Sequence, residues 1–507
     1  MNRTQNAIRN IFFGMLLRLY QTIMPFAMRT VMIYTLGVEY LGLNGLFASV
    51  LQVLNIAELG ISGAMTVSMY EPIVKNDTKK LRGLLSLYRK YYIFVGLIIL
   101  GMGLLLLPFL PHLISGEIPQ GINIYCLFLM YLTSTVLSYT LFSYRSSLFE
   151  AYQRNDMISK IQIGSSTLQF ALQIVFLLIF KNYYLYIIVQ FMVQLMNQFL
   201  LYVYAKKVYP DLYPVDDLDK ELQKSITKKI KDLATARFGS IILHSSDTIV
   251  ISMFLGLAVL AIYQNYFYLI TSVCSFIAAI LYGVLAGIGN SLVVETKEKN
   301  LHDFKKFTFI IAGIVCVCTN CFLCLFQPFM ELWMGVERML PFSMVILFCI
   351  YFFLYEYNQL FNLYKDAAGL WHKDRFRPLI TSLANLFLNI VLVQYIGIYG
   401  IILSTIISML FIGMPWLLHN LFSTLFEQKM GSYLKELLKY LLATLLSSVL
   451  SYVFTSLLAL HGVLALIVNG MIAVGVSCVV FLFFFRKNEY LRYTIKLAKK
   501  IIMREKN

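Results

Sequence analysis

Apolar runs of about 20 residues recur along almost the whole chain, and a run of that length is what an α-helix needs to cross the hydrocarbon core of a bilayer. Inside that core every backbone N–H and C=O must find a partner within the protein, so such runs are helices. They fall at roughly 11–36, 40–70, 90–111, 121–145, 157–180, 183–205, 233–255, 257–294, 307–332, 341–366, 378–396, 398–420, 434–459 and 463–485. This pattern predicts an all-α integral membrane protein of about fourteen transmembrane helices. Only 13% of the 507 residues are charged and the mean hydropathy is +0.73, whereas a soluble domain averages about 25% charged residues. The short polar start, with Arg3 and Arg9, leads into an apolar stretch too long for a signal h-region, so no cleavable signal peptide is expected.

A net charge of +16 could point to nucleic acid, but its distribution does not. With the N-terminus cytoplasmic, all but four of the 42 Lys and Arg fall on inward loops and helix ends. Of the four, Lys181 and Arg338 lie outside, while Arg18 and Arg29 lie within the first helix. That one-sidedness is the positive-inside pattern and predicts both termini in the cytoplasm. The basic excess is topology, and no nucleic-acid partner is expected. Cys316, Cys318, Cys321 and Cys324 crowd one helix, yet Cys316 and Cys318 point about 200° apart on it. They read as small packing side chains rather than a metal cluster, and neither metal nor cofactor is expected.

The chain aligns with itself. Residues 16–37 lie without gaps on 235–256, an offset of 219, with Arg18 on Arg237, Val31 on Val250 and Leu36-Gly37 on Leu255-Gly256. Tyr88-Arg89-Lys90 then falls on Phe304-Lys305-Lys306, Pro108-Phe109 on Pro328-Phe329, and Tyr144-Arg145 on Tyr364-Lys365. Six spans per repeat is an even number, so the two halves run the same way, related by an axis along the membrane normal, as transporter halves are. The predicted division is an N-lobe at 1–205, a cytoplasmic linker with an amphipathic helix at 206–232, a C-lobe at 233–420, two further helices within 421–485, and a basic amphipathic tail at 486–507.

Polar groups inside spans need a reason, because a mid-span charge costs about 2.5–3.5 kcal/mol on insertion scales. The first helix carries Arg18, Gln21, Thr22, Pro25 and Arg29 on one stripe. Arg18 is shallow enough to snorkel to headgroups, and Arg29 is deeper. The second carries Gln52, Asn55, Glu58 and Ser62; the seventh His244, Asp247 and Thr248; the tenth Glu356, Asn358, Gln359 and Asn362. Interhelical salt bridges and hydrogen bonds are the structural alternative for each. Arg29, Arg18, Gln52, Asn55, Glu58, His244, Asp247, Glu356, Asn358 and Asn362 are the candidate substrate-cavity residues, with Arg29 and Asp247 expected to face each other. Tyr263, Tyr266 and Tyr268, beside Gln264 and Asn265, could stack on sugar rings or anchor the helix at an interface. There is no P-loop, and no outward loop exceeds about a dozen residues, which leaves no room for the external catalytic loop of a membrane glycan polymerase or ligase. The chain is not expected to be an enzyme.

Four stretches carry a family resemblance: LGVEYLGLNGLFASVLQVLNIAELGISGA (36–64), SYRSSLFEAYQRNDMISKI (143–161), HSSDTIVISMFLGLAVLAIYQNY (244–266) and YKDAAGLWHKDRFRPL (364–379). They resemble the bacterial polysaccharide transporters, the O-antigen and capsule flippases of the multidrug/oligosaccharidyl-lipid/polysaccharide superfamily. That resemblance implies two six-helix lobes plus two C-terminal helices in the bacterial cytoplasmic (inner) membrane. It implies an undecaprenyl-diphosphate-linked oligosaccharide as substrate, with membrane lipids, a polysaccharide polymerase and glycosyltransferases as partners. It also implies a groove beside the last two helices for the lipid tail. A multidrug exporter or a lipid II flippase of the same superfamily is the alternative. No residue pattern assigns a coupling ion.

Overall fold

Every regular element among the described residues of the computed structural model is helical. The structure describes residues 3–58, 61–141, 143–215, 218–458 and 460–502, without the side chains of 3–8, 11, 57, 229, 231–244 and 497–502. The first nine helices are α1 (Arg3–Thr35), α2 (Val38–Leu54), α3 (Ile61–Val74), α4 (Thr78–Leu106), α5 (Ile124–Thr140), α6 (Ser146–Ala151), α7 (Asn155–Phe180), α8 (Tyr183–Val208) and α9 (Lys220–Leu255). Then follow α10 (Leu257–Gly283), α11 (Leu285–Val294), α12 (Lys297–Met334), α13 (Phe342–Ala367), α14 (Trp371–Asp374), α15 (Arg377–Ile396) and α16 (Ile398–Ser408). The chain closes with α17 (Met414–Asn420), α18 (Gly431–Leu458), α19 (Gly462–Phe485) and α20 (Glu489–Ile502).

Ten helices or continuous helix runs among the described residues are long and apolar enough to cross a membrane, and the bent pair α5–α6 makes an eleventh. The protein is therefore a multi-pass, all-helical membrane protein. Of the fourteen expected spans, those at α1 and the α2–α3 pair are not among these helices, and of α9 the apolar part with described side chains is Ser245–Leu255. These are the segments in which the polar stripes of the first repeat and of helix seven lie.

Two elements differ from expectation. The second span is not one helix over 40–70. α2 stops at Leu54, a 3₁₀ turn covers Asn55–Glu58, and the helix resumes as α3 at Ile61. Apolar residues flank the break on both sides, so hydropathy does not register it. The amphipathic segment expected to lie separately in the linker is instead the beginning of α9, which runs unbroken for 36 residues, about 54 Å at 1.5 Å per residue.

The internal repeat reappears in backbone detail. Gly37 and Gly256, 219 residues apart, end α1 and α9 with φ of 120° and 87°, a region that disfavours any side chain with a Cβ. Each donates its N–H five residues back, Gly37 to Met32 and Gly256 to Ile251. At the same offset, Asp77 caps α4 by accepting from the Lys80 N–H, and Thr296 caps α12 by accepting from Lys299. These side-chain oxygens satisfy donors that a helix start leaves orphaned.

By packing, the chain divides into two compact units, 1–261 and 262–507, so α9 goes with the first. In that unit α1 packs on α7 and α2, α7 on α8, α4 on α5, and α2 on α9. In the second unit α12 is central, against α13, α18 and α19. Its core includes Phe304, whose ring centroid lies 4.7 Å from Tyr364, 5.0 Å from Tyr433 and 5.1 Å from Phe426. Tyr266 belongs to the same unit's interior. It is fully buried, donates to Gln327 and accepts from the Leu340 N–H. Tyr263 is also buried, so both rings are packed inside this unit. Cys316 and Cys324 are buried and Cys318 and Cys321 partly so; the Cys316 Sγ lies 3.3 Å from the Ser447 hydroxyl of α18.

Candidate functional site

The first unit gathers its candidate residues on α1, on α2 with its 3₁₀ extension, and on α9. α2 lies against both of the others. Arg29 is partly buried on α1 and engaged by neighbours, with Tyr186 of α8 in its electrostatic reach. Arg18, three turns earlier, is exposed, the position from which a long side chain reaches headgroups. Gln52 accepts from Ser245 of α9 at 3.4 Å, a direct stitch between the two polar stripes. Asp247 is partly buried and has partners. The His244 side chain lies outside the described residues.

Asn55 and Glu58 sit on the break in the second span. Asn55 ends α2, and its side-chain oxygen is buried without a hydrogen-bond partner among the described residues. Glu58 accepts from the Tyr92 hydroxyl at 3.0 Å, and Tyr92 in turn accepts from Tyr88 at 2.9 Å. The Tyr139 ring lies 5.5 Å from that of Tyr92. Irregular backbone at membrane depth is tolerated only where protein or a water-filled cavity satisfies it. The break in the helix, the Asn55 amide and an acid bordered by three tyrosines fall together in this stretch. Sequence reasoning missed the tyrosines. Tyr88 and Tyr92 stand at i, i+4 on α4, which puts them on one face, but nothing local ties that face to Glu58.

In the second unit, Glu356, Asn358 and Asn362 all lie on α13. Glu356 and Asn358 are two residues apart and point to different faces. Asn362 is committed to another cluster, where its side-chain oxygen accepts from Arg377 at 2.9 Å. Arg377 grips Asp374 with two bonds of 2.7 and 2.8 Å, and Lys365 approaches the same carboxylate at 3.7 Å. The first unit has a counterpart. Asp156, fully buried, is held by Arg9 at 2.9 Å, Arg154 at 3.2 Å and Lys160 at 3.4 Å. The two most conspicuous sequence motifs, 143–161 and 364–379, thus each supply a buried aspartate ringed by cations. Each is an internal fastening, because its charges are already paired.

Two cavities complete the picture. A cleft of about 470 Å³ is lined by Glu39, Tyr40, Ser115, Glu117, Gln120 and the α9–α10 junction. Its loop is pinned by the Ser115 N–H donating to the Ser252 carbonyl and by the Ser252 hydroxyl donating to Leu113. In the second unit a groove of about 600 Å³ runs between α18 and α19, lined only by apolar side chains and Gly475.

The sequence profile described as "Polysaccharide biosynthesis protein" matches residues 7–286. No curated protein sequence matches the chain. Among solved structures, the fold is similar to lipid II flippase MurJ in an inward closed conformation, with a TM-score of 0.66 and 16% identity over 94% of this chain and 99% of that one. It is similar to an inward-facing multidrug resistance MATE family transporter, with a TM-score of 0.60 and 15% identity over 80% and 96%. It is also similar to the Vibrio cholerae MATE transporter VcmN, with a TM-score of 0.55 and 16% identity over 84% and 99%. Likeness at these identities is likeness of fold.

Proposed function

This chain belongs to the polysaccharide biosynthesis protein family, and from that premise we propose that it is a flippase for a lipid-linked oligosaccharide. The substrate we assign is an undecaprenyl-diphosphate-linked repeat unit, carried by alternating access from the cytoplasmic to the outer leaflet of the bacterial cytoplasmic membrane. Both termini then face the cytoplasm, and a polymerase and glycosyltransferases act downstream and upstream. The chain itself makes and breaks no glycosidic bond in this reading.

Arg29 is the observation that carries the proposal. A diphosphate crossing the membrane has to exchange water for fixed cations, and a guanidinium offers a charged fork matched to phosphate oxygens. Arg29 sits on α1 one turn after Pro25, in the group of packed helices that carries the polar stripes. The apolar groove between α18 and α19 suits the other end of such a substrate, a polyprenyl chain.

Surface glycan tests the reading. Arg29→Ala abolishes surface polysaccharide on immunoblots while the protein's level in the membrane stays normal, and the lipid-linked intermediate accumulates facing the cytoplasm. Arg29→Lys keeps charge without the fork and retains part of the activity. Full export by Arg29→Ala overturns the proposal. Glu58 and its tyrosines favour a second reading, since an acid among aromatic rings suits an organic cation. Cells expressing the protein then extrude a cationic dye, and Glu58→Gln stops them.

A further inference from the structure

Glu356 has none of its surface exposed, and neither of its carboxyl oxygens has a hydrogen-bond partner among the described residues. The other acids drawn into this unit are matched. Asp374 has Arg377, Glu436 has Lys305 at 2.8 Å, and Asp303 has Lys306 at 2.6 Å. Among the described residues, the titratable groups that face Glu356 are the Cys274 thiol of α10, the Cys318 thiol of α12, and Tyr355 on its own helix. Cys274 lies beside the carboxyl without reaching hydrogen-bond geometry.

A carboxylate removed from water with no cation to meet it is far less stable than the neutral acid. The surroundings also say which cation would neutralise it. Hard metal ions demand a shell of several oxygens. Here the neighbours are thiols and a phenol, and no grouping suited to a metal occurs among the described residues. A proton needs only one of the two carboxyl oxygens.

We propose that Glu356 is a proton-binding site, enclosed as the neutral acid and releasing its proton as a carboxylate when the transport cycle opens it to water. The only bond made or broken is the carboxyl O–H, so the step needs no further reactant. A proton that binds the enclosed state better than the open one shifts the balance between them, and a proton gradient thereby biases the cycle. The protonation stands on the geometry alone. Its consequence for transport rests on the flippase reading.

Infrared difference spectra of the full-length protein in proteoliposomes test the first part. Near neutral pH the wild type shows a protonated-carboxyl band that Glu356→Gln lacks and that the exposed-site control Glu331→Gln keeps. A band that survives Glu356→Gln, or a wild type with none, overturns the proposal. The second part is read with a pH-sensitive dye inside the vesicles. Undecaprenyl-linked oligosaccharide extracted from export-deficient cells is the added probe. It elicits proton movement in the wild type and in Glu356→Asp, and at least tenfold less in Glu356→Gln. Equal proton movement in wild type and Glu356→Gln overturns the coupling. If the infrared result holds while the probe moves no protons in any form, coupling at Glu356 is also wrong. The flippase reading is judged separately, by the glycan blots of the Arg29 variants.

Discussion

At Gly42 the backbone of α2 touches the backbone at Leu257, and an added Cβ would stand 2.1 Å from that carbonyl oxygen. Neither partner is a side chain that could swing aside, so Gly42→Ala forces the helix away and costs about 1–3 kcal/mol, the range for overpacking. Gly101, in α4, has nothing within 4 Å of the same construction. Gly101→Ala is neutral or stabilises by up to about 1 kcal/mol through helix propensity. Thermal unfolding of the two variants in detergent checks the contrast; equal behaviour would show that the close approach is not what Gly42 provides. Asp374 makes the opposite case, where the side chain rather than its absence matters. Asp374→Asn leaves Arg377 buried at 6% exposure without its counter-charge, which costs about 3–5 kcal/mol. Membrane protein level falls accordingly, and Asp374→Asn with Arg377→Gln recovers part of it.

Among the elements, α12, α18 and α19 are fastened by one amide. Asn320 is fully buried and donates to Ser447 of α18 and Ser477 of α19, while accepting from Ser448. Interhelical hydrogen bonds of this kind average about 0.6 kcal/mol and reach about 1.7. Asn320→Leu therefore lowers stability by about 1–2 kcal/mol. The serines limit the damage, because Ser447 and Ser477 also donate to carbonyls on their own helices. Asn469 of α19 is nearly as buried, yet its side-chain oxygen has no partner among the described residues. Asn469→Leu is correspondingly harmless in the same unfolding measurement. If the two asparagines rank the other way, the network around Asn320 does not hold the last two helices.

For the whole molecule, the proposed orientation makes a labelling prediction. Single cysteines at the exposed positions Glu117 and His461 react from outside intact cells with a membrane-impermeant maleimide. Those at the exposed positions Lys79 and Arg492 do not. The cysteine-free background is reachable because the native cysteines are free thiols. Labelling of Lys79 and not Glu117 would invert the protein and place Arg29 at the wrong stage of the proposed path.

Gly37 with Gly256 shows how far the sequence reached, while the matching caps Asp77 and Thr296 emerged only in the structure. Helix ends, caps and spans follow from forces acting within a few residues: backbone satisfaction in hydrocarbon, an orphan donor at a helix start, a φ that excludes Cβ. A duplicated segment repeats those instructions, so the all-helical fold and its repeat were legible by residue type and spacing. The polar stripes containing Arg29, Gln52 and Asp247 were legible as well, since a charge inside an apolar run stands out. What each polar group meets was not. Glu58 and Tyr92 are 34 positions apart, and Glu356 and Cys274 lie on separate helices, so only the fold shows that the first acid is hydrogen-bonded and the second is not. The break at Asn55 and the packing of α9 with the first unit were equally hidden. Hydropathy averages over a turn, and it carries no information about which neighbour a helix face will find.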